Sequence, residues 1–142
     1  MQRCLIIEGS PIIRKVTKAI LSDFGFDVAE AATGHDGLIL FNRQIPRLAI
    51  VDSSLTDMPA LDVLRHMRDT AAGRVQILYC TTEYELVALQ RAHAAGATDA
   101  LVKPFDRQSL AAKLNAWSPA EQAEKRPNFY TRLSRSEIVR IA

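Results

Sequence analysis

The chain has 142 residues, 48% of them apolar and 24% charged, with a formal net charge of +2; this suits one soluble domain of ordinary size. No apolar run approaches the ~18–20 residues that cross a bilayer, and Met1-Gln2-Arg3-Cys4 leads straight into a strand, so neither secretion nor membrane insertion is expected. Cys4 and Cys80, both flanked by apolar residues, read as reduced core thiols of a cytoplasmic protein and are too few for a zinc cluster.

In chain order, Cys4 to Ile7 is a short, branched apolar run that fits a strand buried on both faces. Ser10 suits a helix cap and Pro11 the first helical position. The helix that follows is expected to bury Ile12, Val16, Ala19 and Ile20, and to end at Asp23-Phe24-Gly25. Asp27 to Ala31 reads as a second, weaker strand, and His35 to Arg43 as a second helix. Leu48 to Val51 repeats the buried-strand pattern and stops at Asp52. A third helix is expected from Leu61 to Asp69, with Leu61, Leu64 and Met67 inward. Val75 to Cys80 is a strand stopping at Thr81, and Glu85 to Ala95 a helix closed by Gly96. Asp99 to Val102 is a fifth strand stopping at Lys103-Pro104, and Asp106 caps a helix running to about Trp117.

Five strands alternating with five helices imply an α/β fold, a doubly wound parallel sheet covered on both faces. Ligands in such sheets bind beyond the carboxyl ends of the strands, where the strand order reverses. Four strand ends deliver Glu8, Asp52, Thr81 and Lys103 to that edge. A carboxylate pair beside a lysine and a threonine could bind a divalent cation and hold a phosphoryl group, with Asp52 as the nucleophile.

These residues carry a resemblance. Leu5-Ile6-Ile7-Glu8, Val51-Asp52, Thr81-Thr82-Glu83 and Lys103-Pro104-Phe105 resemble the receiver domain of CheY-type response regulators over residues 3–117. The resemblance implies a flavodoxin-like sheet of order 2-1-3-4-5 and a phosphoacceptor at Asp52, supported by Glu8, Thr81 and Lys103. It also brings departures. Receivers usually carry two adjacent acids after the first strand, and here the second position is Gly9. The usual aromatic switch, three residues before the lysine, is Ala100, and the run after Asp52 is Leu55-Thr56-Asp57-Met58-Pro59-Ala60. Mg²⁺ is therefore expected to bind weakly at best, through Glu8 and Asp52. Asp52 and Lys103 can equally persist as a buried ion pair that supports the fold without chemistry. His35, His66 and His93 are each expected to serve surface or packing roles.

The charge is uneven. Residues 1–124 hold 13 Lys and Arg against 15 Asp and Glu, whereas residues 125–142 hold Lys125, Arg126, Arg132, Arg135 and Arg140 against Glu137 alone. A faintly acidic body with a basic end points to an anion as the partner of that end. The division expected is a receiver-like domain over 1–118 and an arginine-rich extension over 119–142, mobile until a ligand binds. Guanidinium groups fork onto the O6/N7 edge of guanine, stack on bases or hold phosphate oxygens. Phe129 and Tyr130 offer stacking faces, Asn128 can pair with a base edge, and Ser134 and Ser136 can reach phosphates. A receiver with this extension resembles the Cle proteins, CheY-like effectors of cyclic di-GMP. The resemblance implies binding through Arg126, Asn128, Tyr130, Arg132, Ser134, Arg135, Ser136 and Arg140. It further implies a non-enzymatic adaptor that docks on the flagellar motor switch, recruited from the cytoplasm to the cell pole. Two other readings stand beside it: a single-domain response regulator phosphorylated on Asp52, and a nucleic-acid binder acting through the basic tail.

Overall fold

The computed structural model describes residues 2–117. Five strands, β1 (Arg3–Ile7), β2 (Asp27–Ala31), β3 (Leu48–Asp52), β4 (Gln76–Thr81) and β5 (Asp99–Val102), alternate with five helices, α1 (Pro11–Asp23), α2 (Gly34–Arg43), α3 (Ala60–Ala71), α4 (Leu86–Ala95) and α5 (Arg107–Asn115). The strands form one parallel sheet in the order β2-β1-β3-β4-β5, as expected from the sequence.

Period-two alternation sorts the central strands into two cores. Leu5, Ile7, Ala49, Val51, Ile77 and Tyr79 face α2, α3 and α4, where they meet Phe41, Leu64, Met67 and Leu89. Cys4, Ile6, Leu48, Ile50, Leu78 and Cys80 face α1 and α5, where they meet Ile20, Leu21 and Leu110. Burial of both faces explains why these strands read as unbroken apolar runs. Both cysteines lie buried and unbridged in the second core.

Local chemistry fixes the helix ends. The Ser10 hydroxyl accepts the Ile13 amide at 3.3 Å, and Asp106 and Ser109 form a reciprocal capping box at α5. Gly96 follows α4 with φ +122°, and a Cβ there would lie 2.5 Å from the Arg68 Cβ, so a side chain is excluded twice over. Arg68, buried under this turn, donates to the carbonyls of Gly96 and Val75 and to the Thr98 hydroxyl.

The stripe expected on α1 is corrected. Ile12 is 76% exposed and Val16 52%, and Ala19 is exposed as well; the buried residues are Thr17, Ile20 and Leu21. Thr17 disguises the true stripe, because its hydroxyl donates to the Ile13 carbonyl at 2.7 Å and so enters an apolar face already satisfied. Several boundaries also shift. The third helix extends to Ala60 and Ala71, the fourth starts at Leu86, and the fifth ends at Asn115 rather than near Trp117. Thr81 belongs to β4, where it pairs with Val102.

The corrected α1 register predicts that Leu21→Ala lowers unfolding free energy by about 2–5 kcal/mol, the usual cost of truncating a fully buried leucine. Ile12→Ala should change it by no more than about 0.5 kcal/mol. Urea denaturation of the two variants checks this.

Candidate functional site

The carboxyl ends of β1, β3, β4 and β5 meet at one edge of the sheet. Glu8 follows β1 directly, and its backbone is tied to β2 by a hydrogen bond from its amide to the Ala31 carbonyl. Asp52 closes β3 and Lys103 follows β5. The Lys103 ammonium lies 2.6 Å from a Glu8 carboxylate oxygen and 2.9 Å from Asp52 Oδ1. All three side chains are largely withdrawn from solvent, with the carboxylates at 5% exposure and the lysine at 11%.

Backbone amides complete the cage. Ser10 N donates to Glu8 and Ser54 N to Asp52 Oδ1, each at 3.0 Å. Burial pushes the Asp52 carboxyl up, but hydrogen bonds from the Ser54 amide and the Lys103 ammonium, with the charge of Lys103, outweigh this and hold it below the usual carboxylate range. For Lys103, burial acts downward, and its bonds to Glu8 and Asp52 prevail and raise it. Cys80, in the second core near this cage, is pushed up to about 12 by burial and is not a nucleophile.

Of the four residues expected at the edge, three form the ion-paired cluster. Thr81 stands on the same edge, and its hydroxyl bonds within the following loop, accepting the Glu83 amide at 3.2 Å. The position of the second acid is open: a Cβ on Gly9 would meet only the Ala32 carbonyl oxygen at 3.8 Å and Asp52 Oδ2 at 4.0 Å. Ala100 is fully buried in β5, paired with Tyr79 on β4.

Two contributors were not read from the sequence. Arg14 on α1 donates to the Glu8 carbonyl at 2.8 Å and pairs with Glu30 at 3.5 Å, tying α1 to the edge. Asp57, in the loop after Asp52, accepts the Gly34 and His35 amides at 2.9 Å each and so caps α2. An acid three residues ahead of a proline-initiated helix gave no hint of a partner some twenty residues upstream. Arg126, Asn128, Tyr130, Arg132, Ser134, Arg135, Ser136 and Arg140 lie outside the described residues.

A divalent cation would be held by Glu8 and Asp52, but these residues do not fit one well. Mg²⁺ takes a near-octahedral oxygen shell. Here one oxygen of each carboxylate is already bound to the ammonium of Lys103, and Gly9 offers no third carboxylate. Among the described residues no group of three or more His, Cys, Asp or Glu side chains could hold a metal ion.

A doubly wound five-stranded sheet with two acids and a lysine at its switch point defines a receiver-type module. Residues 4–115 match the response regulator receiver domain, and the chain belongs to that family. It is 29% identical over 141 residues to the transcriptional regulatory protein PhoP of Escherichia coli K12, covering 96% of this chain and 63% of PhoP. It is 28% identical over 115 residues to the probable transcriptional regulator ycf27 of Porphyridium aerugineum, covering 81% of this chain and 47% of that protein. The chain thus spans about half to two thirds of these relatives. Among solved structures, the chemotaxis protein CheY4 of Vibrio cholerae superposes with a TM-score of 0.77 at 29% identity, covering 82% of this chain and 98% of CheY4. A CheY-like receiver domain protein from Methanospirillum hungatei gives a TM-score of 0.78 at 27% identity, covering 87% and 98%. Among the described residues no helix is long and apolar enough to cross a membrane.

The geometry predicts that Gly9→Asp raises Mg²⁺ affinity about 10–100-fold, equivalent to ~1.5–3 kcal/mol, because the added carboxylate has room beside Asp52; calorimetric titration of both proteins measures it. The ion cluster also predicts the pH dependence of stability. Asp52 is depressed in the fold, so its contribution is present above the unfolded value of ~3.9 and drains away as pH falls through the folded value. Lys103 is raised, so its contribution is full below ~10.4 and is lost as pH rises through the folded value. Lys103→Met should therefore flatten both limbs of a stability–pH curve and lower stability near neutrality by about 3–5 kcal/mol, since it strands two buried carboxylates. Urea titrations across the pH range check both effects.

Proposed function

We propose that this chain is a non-enzymatic receiver-fold adaptor that takes cyclic di-GMP through the arginine-rich segment 119–142 and then docks on a partner protein that tunes motility. The observation that carries the reading is the Lys103 ammonium, seated between Glu8 and Asp52 beside an open Gly9. A phosphoryl group arriving at Asp52 would have to break that pair without the second acid to recruit a metal. Input through the extension avoids this cost.

The residue types of the extension support a guanine-bearing anion over a plain polyanion, since arginine supplies four of its five cations. Arg126, Arg132, Arg135 and Arg140 are assigned to guanine edges and phosphodiesters, Tyr130 to stacking, and Asn128, Ser134 and Ser136 to polar contacts. Four arginine contacts of ~2 kcal/mol each and two stacked bases of ~2 each, less ~4 for ordering the segment, leave ~8 kcal/mol, a dissociation constant near ~1 μM. The partner proposed is the flagellar motor switch, at the cell pole. The likeness to a structure named as a chemotaxis protein supports a motility partner.

A second reading, phosphoryl acceptance at Asp52, is favoured by the ionised, edge-facing Asp52 carboxylate and by Lys103 within 2.9 Å of it. The two separate cleanly by experiment. Under the adaptor reading, Arg132→Ala and Arg135→Ala each weaken cyclic di-GMP binding at least tenfold by calorimetry, and acetyl phosphate with Mg²⁺ leaves Asp52 unmodified by mass spectrometry. Unchanged affinity in both variants, or rapid modification of Asp52 with no response to the dinucleotide, would overturn it. Binding of RNA or DNA with a steep salt dependence and no guanine preference would instead assign the extension to nucleic acid.

A further inference from the structure

The corrected register of α1 leaves an apolar ridge in solvent. Ile12, at 76% exposure, and Val16, at 52%, stand one helical turn apart on its outer side, with Ala19 exposed on the next turn. Beside the ridge runs a groove of about 330 Å³. Ile12, Ile13 and Val16 form its α1 wall, and Pro104 and Phe105, which join β5 to α5, form the other. Lys103, whose ammonium holds Glu8 and Asp52, completes the lining with Thr82. Ridge and groove make one contiguous apolar surface, the mark of an interaction site rather than of scattered exposed side chains.

We infer that this surface docks a second copy of the same chain, the Ile12–Val16 ridge of each protomer entering the groove of its partner about a two-fold axis. Two observations select that occupant. The patch is self-complementary in shape, because a projecting pair of branched side chains lies next to a recess whose volume accommodates two of them. A two-fold interface requires ridge and recess to lie on the same face. Its charges are self-complementary as well. Lys15, beside Val16 on the ridge, is exposed and pairs with no acid among the described residues. Asp106, beside Phe105 on the opposite wall, is exposed and caps α5. Seating each ridge in the facing groove carries Lys15 of one protomer toward Asp106 of the other, twice per dimer. The remaining cations of α1 are committed: Lys18 pairs with Glu30 at 3.0 Å, and Arg14 pairs with Glu30 at 3.5 Å and donates to the Glu8 carbonyl. A strongly acidic helix from another protein would therefore find one uncommitted lysine on α1 and be repelled by Asp106. The contact is small and so belongs to the weak, transient class of interfaces. It does not depend on the cyclic di-GMP reading, and a seated partner also covers the side of the groove lined by Lys103.

The full chain, free of nucleotide, is followed by sedimentation velocity and methyl NMR from about 10 μM to about 1 mM, the range in which a weak dimer forms. The mass is expected to climb toward twice that of the monomer. The Ile12 and Val16 methyl resonances should shift along the same curve, and those of Leu86 and Val87, exposed on α4, should stay still. Ile12→Glu and, separately, Lys15→Glu should each weaken association at least tenfold; both positions are exposed, so neither substitution disturbs the core. Asp106→Asn keeps a capping residue on α5 and removes the charge, and should weaken association roughly threefold while reducing its salt dependence. A dimer that shifts Leu86 and Val87 instead, and survives both Ile12→Glu and Lys15→Glu, would overturn the inference. A monomer at every concentration would overturn it too. In that case, Ile12 and Val16 methyls shielded from a soluble paramagnetic agent would assign the groove to another segment of the chain, and accessible methyls would leave it to a different protein.

Discussion

One ammonium group organises the functional edge of this molecule. Lys103 bridges the carboxylates that end β1 and β3, and in doing so joins the start of α1, the loop that caps α2 and the end of β5 into one unit. Two acids this close in a site of low exposure would repel strongly without a cation between them, and one member would take up a proton. The lysine removes that conflict from within the chain. A receiver with a second acid after β1 can recruit an external dication to the same place; with Gly9 there, the internal cation has no strong competitor.

That arrangement separates two properties that the receiver fold usually combines. The scaffold, with its parallel sheet and two cores, is built on the burial of β1, β3 and β4. The chemistry depends on three or four side chains at those ends, and here the set is reduced. Ala100, where receivers usually carry an aromatic, is a small buried residue of β5. The receiver fold thus stands on its cores, whereas what the strand ends can do depends on the few side chains placed there.

Much of this was legible in the sequence because buried parallel strands and capped helices leave strong local signals. β2 and β5 were read to the residue, as were the cap at Ser10, the turn at Gly96 and the cap at Asp106. The arrival of Glu8, Asp52 and Lys103 at one edge followed from the alternation of strands and helices alone. The failures have equally physical causes. On α1, apolar residues that face solvent outnumber those that face the core, and a threonine with an internally bonded hydroxyl occupies a core position, so periodicity chose the wrong face. The contacts of Arg14 and Asp57 depend on which loop lies over which helix end, a tertiary fact with no local signature.

The claim on which this account turns is that Lys103 already meets the electrostatic demand of the Asp52 site. It is tested most directly by following the side-chain carboxyl ¹³C resonance of Asp52 in the full chain while Mg²⁺ is raised to millimolar levels. The account predicts a resonance at the ionised position that stays essentially unmoved. A saturable shift at low Mg²⁺, showing the cation displacing the lysine, would contradict it.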